Sequence, residues 1–547
     1  MTENLLVWVL LTPLLGASAA LAGKVLKPLE KILCVLATAS LMVPAVILAR
    51  LSGPVMAGET LHYSLGGWPE PYGISLVMDG ISWISAALTS AIALAVAVFS
   101  LGNGRYGSRY FFFLLMMVTG MYGVAITGDL FTMFVFFEII AVAVYVLIAW
   151  EGTATGLAAS LKYLLLSTTG VLFFLLGIFL IYRDVGVLSI SQVSTALRGM
   201  GGAANTPVMH LALACLCVGI GVRTAFIPFH TWLPEAHAYA PHPISAILSG
   251  AMIKVSFFAM VRIILQFGGE YLFGLLMWIG AITALAAVVS ALAQSDVKRL
   301  LAYHSISQLG YILAVFGAGS SIALTASFFH SLNHALFKSL LFLTAGAAVS
   351  YSGQRNLYKI GGLGRKMPVF AAAFFVGALS ITGIPPFNGF ASKAFITMGM
   401  KNSPAYPLLW ITGFLTLASF IKLGRIFMPS RNTEEMEGKH RPGTLQTITV
   451  VTLALACTAT GVFGGPIAGF LHEMLYGSVL GTTPPLYSWA SILKVIPAVL
   501  LGTAVFGLVT TSRGKALSIK VQALAPQLRT VLVFFFAGFL AFAAVAW

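Results

Sequence analysis

The sequence predicts an all-α polytopic membrane protein of about 14–16 transmembrane helices, arranged as two inverted five-helix repeats with broken helices 7 and 12. Three observations lead there. Hydrophobic residues make up 59% of the chain and charged residues 9%, with a mean hydropathy of +0.95, whereas roughly a quarter of residues are charged in soluble domains. Apolar runs of spanning length, about 20 residues, recur throughout. Lys and Arg crowd into alternate short loops, near 24–31, 105–109, 298–299, 355–366, 425–441 and 513–529, while the intervening loops hold Arg50, Arg183, Arg198 and Lys401. That bias is positive-inside topology. It explains the net charge of +15 without nucleic acid, and it places both termini outside the cytoplasm, with the chain in a cell inner membrane.

In chain order the runs fall near 4–22, 29–51, 79–101, 110–127, 129–150, 160–182, 208–228, 243–266, 270–293 and 301–319, then 322–349, 368–399, 405–427, 446–470, 489–511 and 529–547. The first, opening MTENLLVWVLL, lacks the basic n-region of a cleavable leader and is expected to remain as a helix. Asp79 and Asp129 stand at helix starts and suit N-caps. The seventh run ends in a break carrying Pro228 and Pro234, and Gly383-Ile384-Pro385-Pro386 interrupts the twelfth. Proline removes a backbone donor, so such breaks survive at membrane depth only where protein or water meets the freed groups. The eleventh and twelfth runs are too long for one plain crossing. Asp296, Lys298 and Arg299 read as an ion cluster in a turn, and 431–441 as a linker.

The order of features repeats. Val218-Gly219 and Ile227-Pro228-Phe229 in helix 7 match Val376-Gly377 and Ile384-Pro385-Pro386-Phe387 in helix 12. Leu161-Lys162-Tyr163-Leu164 in helix 6 matches Phe337-Lys338-Ser339-Leu340 in helix 11. Each pair lies five crossings apart, and an odd number inverts the second unit, a transporter arrangement with sites near the midplane. The expected units are 1–109 (three helices), 110–266 (first repeat, helices 4–8), 267–428 (second repeat, helices 9–13) and 429–547 (helices 14–16).

Composition also narrows the chemistry. Cys34, Cys215, Cys217 and Cys457 all sit inside apolar runs, so no disulfide framework, zinc site, haem or iron–sulfur ligand set follows. His230, His237 and His242 with Glu235 suit bracing of the Pro-rich break better than a metal. No cofactor, metal or nucleotide is expected, and any redox chemistry must belong to other subunits.

What remains is a set of ionisable groups inside apolar helices: Glu138, Lys162, Arg223, Lys254, Lys338 and Lys393, with His330 and His334 beside Lys338. Each charge exposed to lipid would cost about 2.5 to 3.5 kcal/mol, so six would exceed an ordinary folding stability of about 5 to 15 kcal/mol. They must meet partners or water. Glu138 is the one acid expected deep in a crossing and the natural counter-ion. Desolvation favours a neutral lysine and a nearby anion the charged form, which lets such a lysine carry protons. His330, His334 and Lys338, at i, i+4 and i+8, share a helical face, and imidazoles suit proton relay. Lys162 and Lys338 are alternatively read as snorkelling near helix starts.

The run from Arg223 through PFHTWLPEAHAYAPHPISAILSGAMIK to Arg262 resembles the shared core of the antiporter-like membrane subunits of respiratory complex I, Mrp cation/proton antiporters and membrane-bound hydrogenases. Further carriers are MDGISW at Asp79, GDLFTMFVFFE at Glu138, SDVKRLLAYHSISQLGY from Ser295, HSLNHALFKSLLFL from His330 and LSITGIPPFNGFASK ending at Lys393. The resemblance spans roughly residues 75–430. It implies a fourteen-helix core, a charged pair of Glu138 with residue 223, passage through Lys254 to the centre, and a second half served by His330, His334, Lys338 and Lys393. Where the family usually has lysine this chain has Arg223, which stays charged and is therefore expected to act as a fixed cation.

The functional expectation is a proton-translocating subunit of a multi-subunit membrane complex, moving H⁺ and coupled to redox chemistry in partner subunits or to Na⁺ exchange. Two other classes are a self-sufficient cation/proton carrier and a non-conducting membrane scaffold.

Overall fold

A computed structural model of the chain describes residues 3–199, 206–429 and 441–523, together with 533, 536–540 and 544. Of the expected helix at 529–547 only 533, 536–540 and 544 are described, and Arg431, Lys439 and Arg529 of the basic loops lie outside the described residues.

Three crossings open the fold: α1 (Leu5–Ala22), α2 (Glu30–Ser40) joined through Leu41 to α3 (Met42–Met56), and α4 (Gly80–Leu101). Between α3 and α4 a hairpin departs from the all-α expectation, with β1 (Leu61–Ser64) antiparallel to β2 (Ser75–Met78) in the register Leu61↔Met78. Strands of four residues are too short to leave a period-2 signature beside long apolar runs. Asp79 caps α4, its carboxylate accepting from Ser82 N at 2.8 Å.

Five crossings follow. They are α5 (Ser108–Ile126), α6 (Leu130–Ile148), α7 (Ala154–Val185), α9 (Pro207–Thr224) with the short α10 (Leu233–Tyr239) beyond a break, and α11 (His242–Ile247) continuing through a π-helical turn at Leu248–Met252 into α12 (Ile253–Gln266). A short helix, α8 (Ile190–Gly199), lies between α7 and α9. The next five are α13 (Phe273–Ala293), α14 (Val297–Phe316), α15 (Ser321–Ser352), α17 (Pro368–Thr382) with α18 (Asn388–Met400) beyond a second break, and α19 (Tyr406–Gly424); the single turn α16 (Leu363–Lys366) precedes α17. The rest comprises α20 (Thr444–Val462), α21 (Gly464–Tyr476), α22 (Trp489–Leu493), α23 (Val495–Thr510) and α24 (Ser512–Ala523). Among the described residues thirteen helices are long and apolar enough to cross a membrane.

The eleventh run, expected to be too long for one plain crossing, is one unbroken helix of 32 residues, α15, as is α7, while two other boundaries correct the sequence reading. At 1.5 Å per residue each is about 48 Å long, well beyond a bilayer core of about 30 Å. The run 446–470 is instead two helices meeting at Phe463, because Gly464-Gly465-Pro466 suits a helix start. The run 489–511 likewise divides at Lys494.

The two sets of five share details of construction. Asp129 caps α6, accepting from Thr132 N at 2.6 Å; Asp296 caps α14, accepting from Lys298 N and Arg299 N at 2.9 Å. Leu130 N bonds Leu188 O at 3.0 Å and Ile190 N bonds Gly128 O at 2.8 Å. The same exchange joins Val297 N to Arg355 O at 3.0 Å and Leu357 N to Ser295 O at 2.9 Å. Both 32-residue helices end on a left-handed glycine, Gly186 and Gly353.

At the first break α9 ends on Ala225 in the left-handed region (φ 58°). Trp232 Nε1 donates to Val222 O at 2.7 Å and Ile227 N to Thr283 Oγ1 at 3.1 Å, so protein takes up the freed backbone. At the second, Gly383 (φ 83°) ends α17, and the Tyr487 hydroxyl reaches Pro386 O in the break at 3.4 Å and Gly461 O of α20 at 2.6 Å.

Candidate functional site

The ionisable groups divide into outer ion pairs and an inner set without anions. On the first five-helix unit, Arg223 donates to Glu138 at 3.2 Å and lies over the Phe137 ring at 4.8 Å. Arg223 is buried at 3% exposure, but the Glu138 side chain is 41% exposed, which corrects the expectation of a deep carboxylate. Hydropathy reports depth along a helix; it does not say which face of α6 looks inward. Lys162 pairs with Glu235 at 3.0 Å across α7 and α10. Glu235, weighed in the sequence only with the neighbouring histidines, is therefore the partner that α7 offered no means of finding.

Two further pairs are structural anchors. Arg262 donates to Asp79 at 2.5 Å and to Ser82 Oγ, and Arg355 holds Asp296 at 2.8 Å. The turn at 296–299 is thus only partly an ion cluster, since Lys298 Nζ donates to Ala240 O and Arg299 reaches the Tyr239 hydroxyl at 3.4 Å.

Deeper in, Lys254, Lys338 and Lys393 have no carboxylate within 4 Å among the described residues. Each ends on a backbone carbonyl. Lys254 Nζ meets Ser249 O in the π-helical turn, Lys338 Nζ meets Leu301 O at 2.5 Å, and Lys393 Nζ meets Ile381 O at 2.8 Å in the last turn of α17. Carbonyls at helix ends lack intrahelical partners and carry the negative end of the helix dipole, which makes the Ile381 carbonyl a natural seat for an ammonium. Two hydroxyls lie between the carbonyls that seat Lys254 and Lys338. Ser249 Oγ lies 2.7 Å from Ser305 Oγ, and Ser305 Oγ donates at 3.2 Å to the same Leu301 O that holds Lys338. The sequence reading missed both serines, because serine is frequent in such helices and signals nothing until it is seen paired.

His330 and His334 stand on α15 with ring centroids 6.4 Å apart. His330 contacts Ser392 Oγ at 2.9 Å and Gln308 Oε1 at 3.0 Å; Ser392 is the neighbour of Lys393, whose ammonium lies 5.7 Å from the Tyr311 ring. His237 on α10 stacks on Phe342 at 4.7 Å, and Lys338 approaches the same ring at 5.5 Å. Both nitrogens of His237, His304 and His334, and Gln308 Nε2, are buried without a protein partner among the described residues. Lys338 is fully buried seventeen residues into α15, so it does not snorkel; Lys162 sits only eight residues into α7. The local match between those lysines is therefore not a structural one. Counted back from Gly186 and Gly353, Tyr163 and His330 occupy the same place, and Tyr163 adjoins Arg223.

The structure thus strings His330, His334 and Lys338 along α15, seats Lys254 on the π-helical turn and Lys393 on the last turn of α17, and places the Glu138–Arg223 and Lys162–Glu235 pairs in the first unit. No described hydrogen bond links the Glu138–Arg223 pair to Lys254. A helical bundle with broken helices, buried cations and unpartnered histidines defines a class: a polytopic ion-translocating membrane protein. Residues 127–422 match the NADH:quinone oxidoreductase/Mrp antiporter transmembrane family, and the chain belongs to it. It is 34% identical over 442 residues to NADH-quinone oxidoreductase subunit N of Desulforudis audaxviator, covering 77% of this chain and 86% of that one. It is 30% identical over 473 residues to a putative antiporter subunit, mnhD2, of Staphylococcus aureus, covering 84% and 94%. Its fold is similar to chains in the Mrp complex of a Dietzia species (TM-score 0.78, 25% identity) and in an archaeal membrane-bound sulfane sulfur reductase (0.78, 27%). Each comparison covers 91% of this chain and 99% of the other.

Proposed function

We propose that this chain is the proton-translocating, antiporter-like subunit of a multi-subunit membrane complex, driven by redox chemistry in partner subunits or coupled to Na⁺ exchange. The observation that carries the reading is the pair of fully buried lysines Lys254 and Lys338, seated on the main-chain carbonyls of Ser249 and Leu301 with the Ser249–Ser305 hydroxyl pair between them and held without any anion among the described residues; a carbonyl has no proton to pass on, so water completes the path between them. A buried ammonium with no counter-ion is tolerated only if water or a mobile proton accompanies it, and buried imidazole nitrogens need hydrogen-bond partners that water can supply. In this reading Glu138 exchanges protons beside the fixed Arg223 cation, Lys162 and Glu235 guard the first unit, and water between the buried lysines carries the proton past His334 and His330 to Lys393.

The paired caps, strand exchanges and glycine ends support treating 110–266 and 267–428 as inverted repeats, with 1–109 and 429–547 as flanking helices. The loop charge bias supports placing the chain in the cytoplasmic membrane with both termini outside the cytoplasm. The names of the relatives, a quinone oxidoreductase subunit and an antiporter subunit, support partners in the membrane.

Glu138→Gln keeps a hydrogen-bond acceptor for Arg223 but removes the titratable group. It is expected to leave the complex assembled and to lower coupled proton translocation in vesicles at least tenfold. Unchanged pumping would remove Glu138 from the pathway, and loss of assembly would make the pair a structural one.

A further inference from the structure

We infer that the end of the bundle where α1, α2 and α5 meet binds an anionic phospholipid of the cytoplasmic leaflet. Lys24, Lys27, Lys31, Arg105 and Arg109 are spread over two distant loops in the sequence, and folding closes those loops on each other. Glu30 Oε1 accepts from Ser108 N at 2.9 Å. Two glycines let the seam shut: a Cβ on Gly23 would lie 2.6 Å from Ser108 Oγ, and one on Gly107 would lie 2.7 Å from Glu30 Oε1. Lys31 and Arg109 therefore flank a single hydrogen bond, with Lys24 and Lys27 on the turn that leads into α2 and Arg105 on the turn that leads into α5. All five are exposed, and none has a carboxylate within 4 Å among the described residues. The described acids on this side of the bundle do not balance them. Glu235 and Asp296 are paired with Lys162 and Arg355, Ser108 engages Glu30, and Glu151 lies with Arg105 near Tyr106.

The surroundings of the cations identify the ligand. Val25, 82% exposed, and the exposed Leu26 and Leu29 alternate with the lysines, and a segment that mixes bare apolar side chains with cations suits the headgroup boundary better than open water. Below it the outward face of α2 and α3 carries Ile32, Val35, Leu36, Met42, Val43 and Val46, all exposed. Their spacing of three, four and seven keeps them on one side, since Leu41 joins the two helices with helical backbone angles. Cations at the head of an apolar lane match the two halves of one molecule, a phosphate and its acyl chains. A soluble phosphate has no use for the lane, and an acidic protein surface leaves it bare. Each basic residue close to an anionic membrane surface strengthens attraction roughly fivefold, and the Glu30–Ser108 tie concentrates five of them on one patch. The positive-inside bias sets the patch in the cytoplasmic leaflet. The site is independent of the proposed proton path, and its test does not read translocation.

The test titrates the full chain, purified in a neutral detergent, with phosphatidylglycerol or phosphatidylcholine and counts bound lipid by native mass spectrometry. Phosphatidylglycerol is expected to bind at least tenfold more tightly than phosphatidylcholine. K24Q/K27Q/K31Q should weaken it at least tenfold, and K24R/K27R/K31R should keep it. R105Q/R109Q should weaken it severalfold, because the two loops form one patch. Glycerol phosphate should not displace the lipid. Equal binding of the two lipids, or unchanged phosphatidylglycerol binding in both glutamine variants, overturns the site. Displacement by glycerol phosphate overturns it in favour of a soluble phosphate, and unchanged lipid binding with weakened complex assembly overturns it in favour of an acidic partner subunit. The lysines also help to set topology, so each variant is checked for orientation in vesicles at Asn402→Cys, the four native cysteines being buried. If the lysine variant inserts inverted, R105Q/R109Q decides: undiminished phosphatidylglycerol binding there overturns the site.

Discussion

A guanidinium remains protonated at any pH a cell reaches, so Arg223, 3.2 Å from Glu138, can steady a proton carrier without being one. Its flat contact with Phe137 at 4.8 Å and its fork of donors are both lost in lysine. Arg223→Lys is therefore expected to preserve assembly and lower translocation severalfold; a large gain would show instead that the native arginine impedes the first unit. The identities of these residues were legible in the sequence, because a charge within an apolar run is conspicuous. Their directions were not. Glu138 falls in the middle of α6 yet faces outward, and Lys162 finds Glu235 73 positions away, a pairing that no local pattern encodes.

At the scale of elements, the breaks and the small ties between them set the geometry. Gly389 opens α18 so closely beneath α17 that a Cβ there would overlap Ser380 O, a backbone atom that cannot step aside. Gly389→Ala is expected to destabilise by about 1 to 3 kcal/mol, read as a lower midpoint for thermal disassembly of the complex; an unchanged midpoint would show that the second break is pliant. Outside the membrane, Glu70 ties the hairpin turn to the start of α8. Burial works to raise its pKa, but bonds from Ser189 (2.6 Å) and Ser191 (3.2 Å), with the Ser75 hydroxyl and His62 nearby, hold its carboxyl below the ordinary range. A depressed folded pKa contributes stability at and above the ordinary carboxylate value of about 4.3, which is lost as pH falls through the lowered folded value. Hydrogen-exchange protection of 61–78 and 190–199 should therefore stay constant from neutral pH to about 5 and fall on further acidification. In Glu70→Gln that acid step should be absent. The hairpin escaped the sequence reading because four-residue strands carry too little pattern, whereas the Pro- and Gly-rich breaks announced themselves by residue type alone.

For the molecule as a whole, the fold was readable because lipid restricts a spanning chain to a few solutions, and apolar length with loop charge nearly determines which one. The inner track was not readable. Ser249, Ser305 and the Leu301 carbonyl become a bridge only when α12, α14 and α15 converge, and neither a serine nor a backbone oxygen stands out in a string of letters. That bridge makes Lys254 the decisive residue, fully buried and bonded to a carbonyl that the π-helical turn presents. An apolar residue of similar volume at a buried charge is often neutral or stabilising for the fold, so function and assembly separate cleanly there. The measurement is coupled proton translocation by vesicles carrying the assembled complex with Lys254→Met. A fall of at least tenfold with subunit content unchanged is expected; undiminished translocation would contradict passage of protons along the buried lysines.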